Sequence, residues 1–175
     1  MSTPSMGLFV ERLEAQKTEV RRVEGGDVAA AAAAVCAARG VRRLGVPPGL
    51  PAEWLPAGPL VVADRDLTPA ELDALDGALT GCTLAIAETG TLVLSAGSAD
   101  GRRALSLVPD LHVCVVGEHQ VEADLPAAMP RIAGLIRDEG RPVVFVSGAS
   151  ATSDIELQRV EGVHGPRRLV VLLVS

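Results

Sequence analysis

Tyrosine is missing from this sequence, and Phe9, Trp54 and Phe145 are its only aromatic residues, 2% of 175 positions. Rings for stacking bases or flavins are therefore scarce. The core has to be built from Ala, Val and Leu, which let helices pack close to a sheet. Cysteine is nearly as rare: Cys36, Cys82 and Cys114 stand far apart, and no C-x-x-C occurs. Neither a zinc nor an iron–sulfur ligand set is written here. An odd count with no framework fits a reducing compartment and three small buried hydrophobes. No run approaches the roughly 20 apolar residues of a membrane span, and the start lacks a signal-peptide pattern, so the cytoplasm is the expected location. Positive charge is not gathered anywhere. The net charge is −6, and the Arg pairs at 21–22, 42–43, 102–103 and 167–168 are spread along the chain, which argues against nucleic acid. The three histidines show no metal-binding spacing, so neither a metal nor a cofactor is expected.

What is present is a chain that is 48% hydrophobic and long enough to bury a sizeable core. Residues 8–23 place Leu8, Phe9, Leu13, Val20 and Val23 loosely on one face, which predicts an amphipathic helix within a segment 1–24. Residues 25–175 then read as a single domain. Asp27 opens an alanine-rich helix, and Gly40 stands where a C′ glycine belongs. Thr68-Pro69-Ala70-Glu71 is a capping box with proline at N1, followed by Leu72, Leu75 and Leu79. Leu125, Met129, Ile132 and Ile136 mark a helix that contains Pro130. Apolar runs at 42–46, 60–63, 112–116, 143–146 and 169–174 predict buried strands. Residues 83–88 and 91–95 have hairpin spacing about Thr89-Gly90. Strands apolar on both faces, alternating with helices, predict an α/β fold: a mixed, mostly parallel sheet covered by helices on both faces.

Two loops carry the chemistry. In the first, a strand of small and apolar residues ends at Glu88, beside Thr89, Gly90 and Thr91. A carboxylate at the end of a buried strand is partly desolvated and can act as base or nucleophile; a hairpin turn with a solvated Glu is the plainer alternative. In the second, Ser147, Gly148, Ser150, Thr152, Ser153 and Asp154 connect a buried strand to a helix-like segment. Free N–H groups and hydroxyls at such a junction suit a phosphate or carboxylate, although Ser and Thr are also ordinary loop residues. The lysine of a P-loop and the spacing of a Rossmann turn are both absent. His164, between two glycines, lies on a turn from which it could reach a cleft. Arg103 is a candidate partner for a bound carboxylate, because its fork fits one bidentately.

The runs TGCTLAIAETGT (80–91), RALSLVPDLHVCVV (103–116) and SGASATSDIELQRVEGVHGP (147–166) resemble the lactate utilization protein C family, LutC, also called the LUD domain. That resemblance covers nearly the whole chain. It implies a fold of the NagB/RpiA/CoA-transferase type and membership in a bacterial system that oxidises L-lactate to pyruvate, with iron–sulfur clusters on partner subunits. Glu88-Thr89-Gly90 is also similar to the short pattern in which CoA-transferases carry a nucleophilic Glu. Three roles follow as expectations. The first is a non-redox accessory or regulatory subunit of lactate oxidation that binds a small carboxylate or phosphate. The second is a transferase or isomerase using Glu88, and the third is a docking module for the iron–sulfur subunits.

Overall fold

The computed structural model describes residues 4–152, 160–161 and 165–175. In chain order the elements are α1 Pro4–Ala15, β1 Glu19–Val23, α2 Val28–Arg39, β2 Arg43–Val46, β3 Leu60–Ala63, α3 Pro69–Asp73 and β4 Gly77–Thr80. They continue with β5 Leu84–Ile86, β6 Thr91–Leu94, α4 Arg103–Leu107, β7 Leu111–Gly117, β8 Val121–Glu122, α5 Leu125–Arg137 and β9 Val144–Val146. The last are β10 Ala151–Thr152, β11 Val160–Glu161 and β12 Arg168–Val174.

Six strands form the main sheet in the order β1-β12-β7-β4-β2-β3, and every neighbouring pair is parallel. The two central seven-residue strands, β7 and β12, are buried on both faces, as their unbroken apolar runs require. On one face α2 sets Val28, Ala32, Val35 and Cys36 against Leu44, Leu79, Val113 and Leu172. Its alanines permit that close approach. Gly40 ends it at φ 66°, donating its N–H to Cys36 O and Ala37 O, whereas Asp27 makes no side-chain cap. On the other face α1 buries Met6, Phe9 and Leu13 against Cys114, Val171 and Leu173. α3 and α4 cover the remainder through Leu72, Leu75 and Leu105.

The antiparallel pairing expected of the hairpin does not enter this sheet. β5 and β6 do form a hairpin, but it lies in a smaller sheet ordered β8-β5-β6-β9. That sheet covers α1's side of the molecule.

Residues 8–23 are not one helix. α1 stops at Ala15, the chain turns through Lys17 at φ 61°, and Thr18 N donates back to Leu13 O. Residues 19–23 then join the main sheet as β1, paired in parallel with β12. Val20 and Val23 matched a helical spacing, but they lie on the strand. The apolar face of α1 is consumed by this domain's own core. The Thr68 capping box is present, but α3 ends at Asp73 and Leu79 belongs to β4. The strands at 60–63 and 143–146 lie at sheet edges, where Leu60 and Phe145 are exposed.

Candidate functional site

The antiparallel register of β6 and β9 sets Leu92 opposite Val146, which brings the two candidate loops side by side. Three hydroxyls then form a chain: Thr89 Oγ1 lies 2.8 Å from Thr91 Oγ1, and Thr91 Oγ1 lies 2.7 Å from Ser147 Oγ. The end of α1 rests on both loops. Gln16 Nε2 donates to Thr89 O at 2.8 Å, while Gln16 Oε1 is buried with no hydrogen-bond partner. Gly90 and Gly148 both have positive φ, 61° and 78°. A Cβ on Gly90 would stand 2.7 Å from Arg12 Cβ and 2.9 Å from Arg12 C; one on Gly148 would stand 3.0 Å from Gln16 Cβ. Glycine is required at both positions for conformation and for space.

Within this frame Glu88 is exposed, without the burial expected at a strand end; its backbone N–H donates to Ala123 O at 3.0 Å. Thr91 is buried, and Ser147 is exposed. Ser150 is tied by its N–H to Pro166 O at 2.9 Å and lines a cleft of about 220 Å³. Lys17, Arg39, Arg167 and Arg168 line the same cleft against a single carboxylate, Glu19. Glu19 accepts from Arg39 and Arg21 at 2.7 Å each. Partial burial opposes its charge, but those two hydrogen bonds prevail and hold its carboxyl below the usual range. The surplus of cations gives this cleft a positive lining beside Ser150. Thr152 lies in β10, paired with β11, whereas Ser153, Asp154 and His164 lie outside the described residues.

Arg103 is exposed at the start of α4. Its neighbour Arg102 makes a bidentate fork to the chain's own Asp64: Nε to Oδ2 at 2.7 Å and Nη2 to Oδ1 at 2.8 Å. Sequence reading missed this pair, and also missed that four cations from separate segments converge beside Ser150. Only the Arg167-Arg168 doublet signalled either feature. His112 is buried, with Nε2 2.8 Å from Thr80 Oγ1 and Nδ1 without a hydrogen-bond partner. The same Thr80 hydroxyl lies 2.9 Å from Gly81 O. Burial pushes the His112 pKa down to about 4. All three cysteines are free and buried, and burial pushes the Cys36 thiol up. Among the described residues no group of His, Cys, Asp and Glu could hold a metal ion. Also among them, no helix is long and apolar enough to cross a membrane.

Comparison with known proteins agrees with this architecture. The chain is similar to a lactate utilization protein C of Deinococcus radiodurans, 54% identical over 77% of this chain and 63% of that protein. It is similar to one of Bacillus velezensis at 27% identity over 100% of this chain and 71% of that protein. The chain thus spans about two thirds of the length of these relatives. A crystal structure described as a DUF162 family protein from Deinococcus radiodurans superposes with a TM-score of 0.85 at 40% identity, covering 98% of this chain and 96% of that one. The model of the LUD domain matches residues 6–174, from the first turn of α1 to the end of β12, and the chain belongs to the LUD domain family.

Proposed function

We propose that this chain serves lactate utilisation in the cytoplasm as an accessory or regulatory subunit that holds a small carboxylate or phosphate. The cleft beside Ser150 is where that anion sits. The observation that carries the reading is the lining of that cleft, four cationic side chains against one carboxylate, beside Ser150. The names of the related proteins supply the lactate context. Electron transfer belongs, in this reading, to iron–sulfur partner subunits; here Cys36 packs in one core, and Cys82 and Cys114 pack together in another.

Two measurements test the two halves. A strain lacking the gene should fail to grow on L-lactate and recover when the gene is restored; undiminished growth would remove the assignment. Separately, phosphate, pyruvate or L-lactate should raise the unfolding temperature of the purified chain. Ligand at roughly 100 times its Kd adds about 2.7 kcal/mol to the folded state. That rise should shrink in Arg168→Ser and Ser150→Ala. An equal rise in those variants places the anion elsewhere.

A further inference from the structure

In the main sheet the chain leaves β2 toward β3 but leaves β4 toward β7, so the strand order reverses between β2 and β4. The crevice outside the carboxyl ends at such a reversal is where open α/β sheets bind ligands. Here a loop of residues 95–102 closes it, pinned by backbone bonds: Ser98 O accepts from Gly49 N at 3.2 Å and Ala99 O from Gly81 N at 2.8 Å. Both donors are glycines because a Cβ would meet the loop, at 2.6 Å on Gly49 and 3.2 Å on Gly81. The loop is therefore held in place before any ligand arrives, which lowers the ordering cost of binding.

That loop presents Asp100, which is 4% exposed. Its Oδ2 accepts from Ser95 N at 2.9 Å and from the Thr83 hydroxyl, and Oδ1 takes neither bond. A cavity of about 480 Å³ opens beside it toward α5, and Arg141 lines the same space. Between the two stands Gly97. A Cβ there would lie 3.2 Å from Arg141 Nη1 and 3.7 Å from Asp100 Oδ2. The guanidinium nevertheless pairs with Glu139, at 2.7 Å, and not with Asp100. Arg141 Nη1 and the Asp100 carboxylate, Oδ2 nearest, thus flank a space that stays open because residue 97 has no side chain.

We propose that this cavity binds a small acid bearing a hydrogen-bond donor on the carbon next to its carboxyl, a 2-hydroxy or 2-amino acid. The carboxylate lies on Arg141 and the donor on Asp100. A plain anion is the wrong ligand here. Asp100, Asp138 and Glu139 outnumber Arg131 and Arg141 in the lining, so a ligand that also donates a hydrogen bond to Asp100 is favoured over one that brings negative charge alone. The cationic cleft beside Ser150 has the opposite balance, and the two assignments stand or fall separately.

Calorimetric titration with L-lactate, L-alanine and propionate tests this, on the full chain carrying Arg168→Ser so that the cationic cleft beside Ser150 contributes least. Either L-lactate or L-alanine should bind, and which one binds identifies the donor as hydroxyl or ammonium. Propionate, identical in length but lacking the donor, should bind at least about tenfold more weakly, the effect of one charge-assisted hydrogen bond. Gly97→Ala puts a methyl into the gap at an ordinary backbone conformation and should abolish binding with the unfolding temperature unchanged. Arg141→Gln should weaken binding while leaving Asp100 in place. Equal affinity for propionate, full affinity in Gly97→Ala, or no binding by either donor-bearing acid would overturn the proposal.

Discussion

The two ends of the parallel sheet carry the same kinds of charge under opposite conditions. At the carboxyl ends, Asp64 follows β3 with its side chain 1% exposed, gripped by the Arg102 fork and by Leu67 N at 3.1 Å. At the amino ends, Arg167 reaches Asp110 only at 3.5 Å, with side chains 62% and 72% exposed. A buried carboxylate must be fully bonded or its desolvation goes uncompensated, so the carboxyl-end charges are fixed in place. Exposed charges remain solvated, and can exchange a weak internal partner for a ligand at little loss. The difference separates charges that shape a site from charges that stay available to one.

The sharpest way to break that comparison is Arg102→Ala. It leaves the Asp64 carboxylate buried with only the Leu67 N–H among its present bonds, and it frees the start of α4. Breaking a buried pair costs about 3–5 kcal/mol; water already reaches part of this guanidinium, which reduces the expected loss to about 2–3 kcal/mol. Urea unfolding of the two proteins measures it. A loss below about 1 kcal/mol would mean that the carboxyl end is no more tightly built than the amino end.

How much of this was legible in the sequence follows from which interactions are local. β7 and β12 are apolar on both faces because helices cover both sides, so their runs identified them directly. The Thr68 capping box and Gly40 act within one helical turn and were equally plain. β1 was misread because Val20 and Val23 also fit a helical period. Its strand identity comes from pairing with β12, at the far end of the chain. The two candidate loops were singled out separately, and their contact through Thr91 and Ser147 depends on the β6–β9 register. The pairing of Arg102 with Asp64 joins residues nearly forty positions apart, and no local pattern announces it.

A smaller effect separates the ends by pH. His112, at the start of β7, is fully buried and uncharged, its pKa lowered by burial from 6.5 to about 4. The unfolded chain takes up this proton first as pH falls. The contribution is therefore intact above about pH 6.5 and declines as the pH drops toward 4. At pH 5 the loss relative to pH 7 should be about 2 kcal/mol for this one group. Unfolding of wild type and His112→Gln at both pH values measures it: the variant should be less sensitive to acid by about that amount. Equal slopes would show that the core beneath the Thr80 hydroxyl admits a charged imidazole, and that burial does not order the charges as argued here.

The smallest expected effect on stability is Arg167→Gln. With its partner at 3.5 Å and both side chains largely in water, the pair contributes at most about 0.5 kcal/mol. Its loss should disappear within the error of a urea titration. Arg167 also lines the cleft beside Ser150, so phosphate binding should weaken severalfold and become less sensitive to salt, because one cation no longer draws the anion in. The combination is the informative result, since a residue that holds the fold together loses stability and binding in step. A loss of stability above about 1 kcal/mol would place Arg167 with Arg102 and dissolve the contrast between the two ends. Unchanged stability with unchanged phosphate affinity would leave the contrast standing and remove Arg167 from the anion cleft.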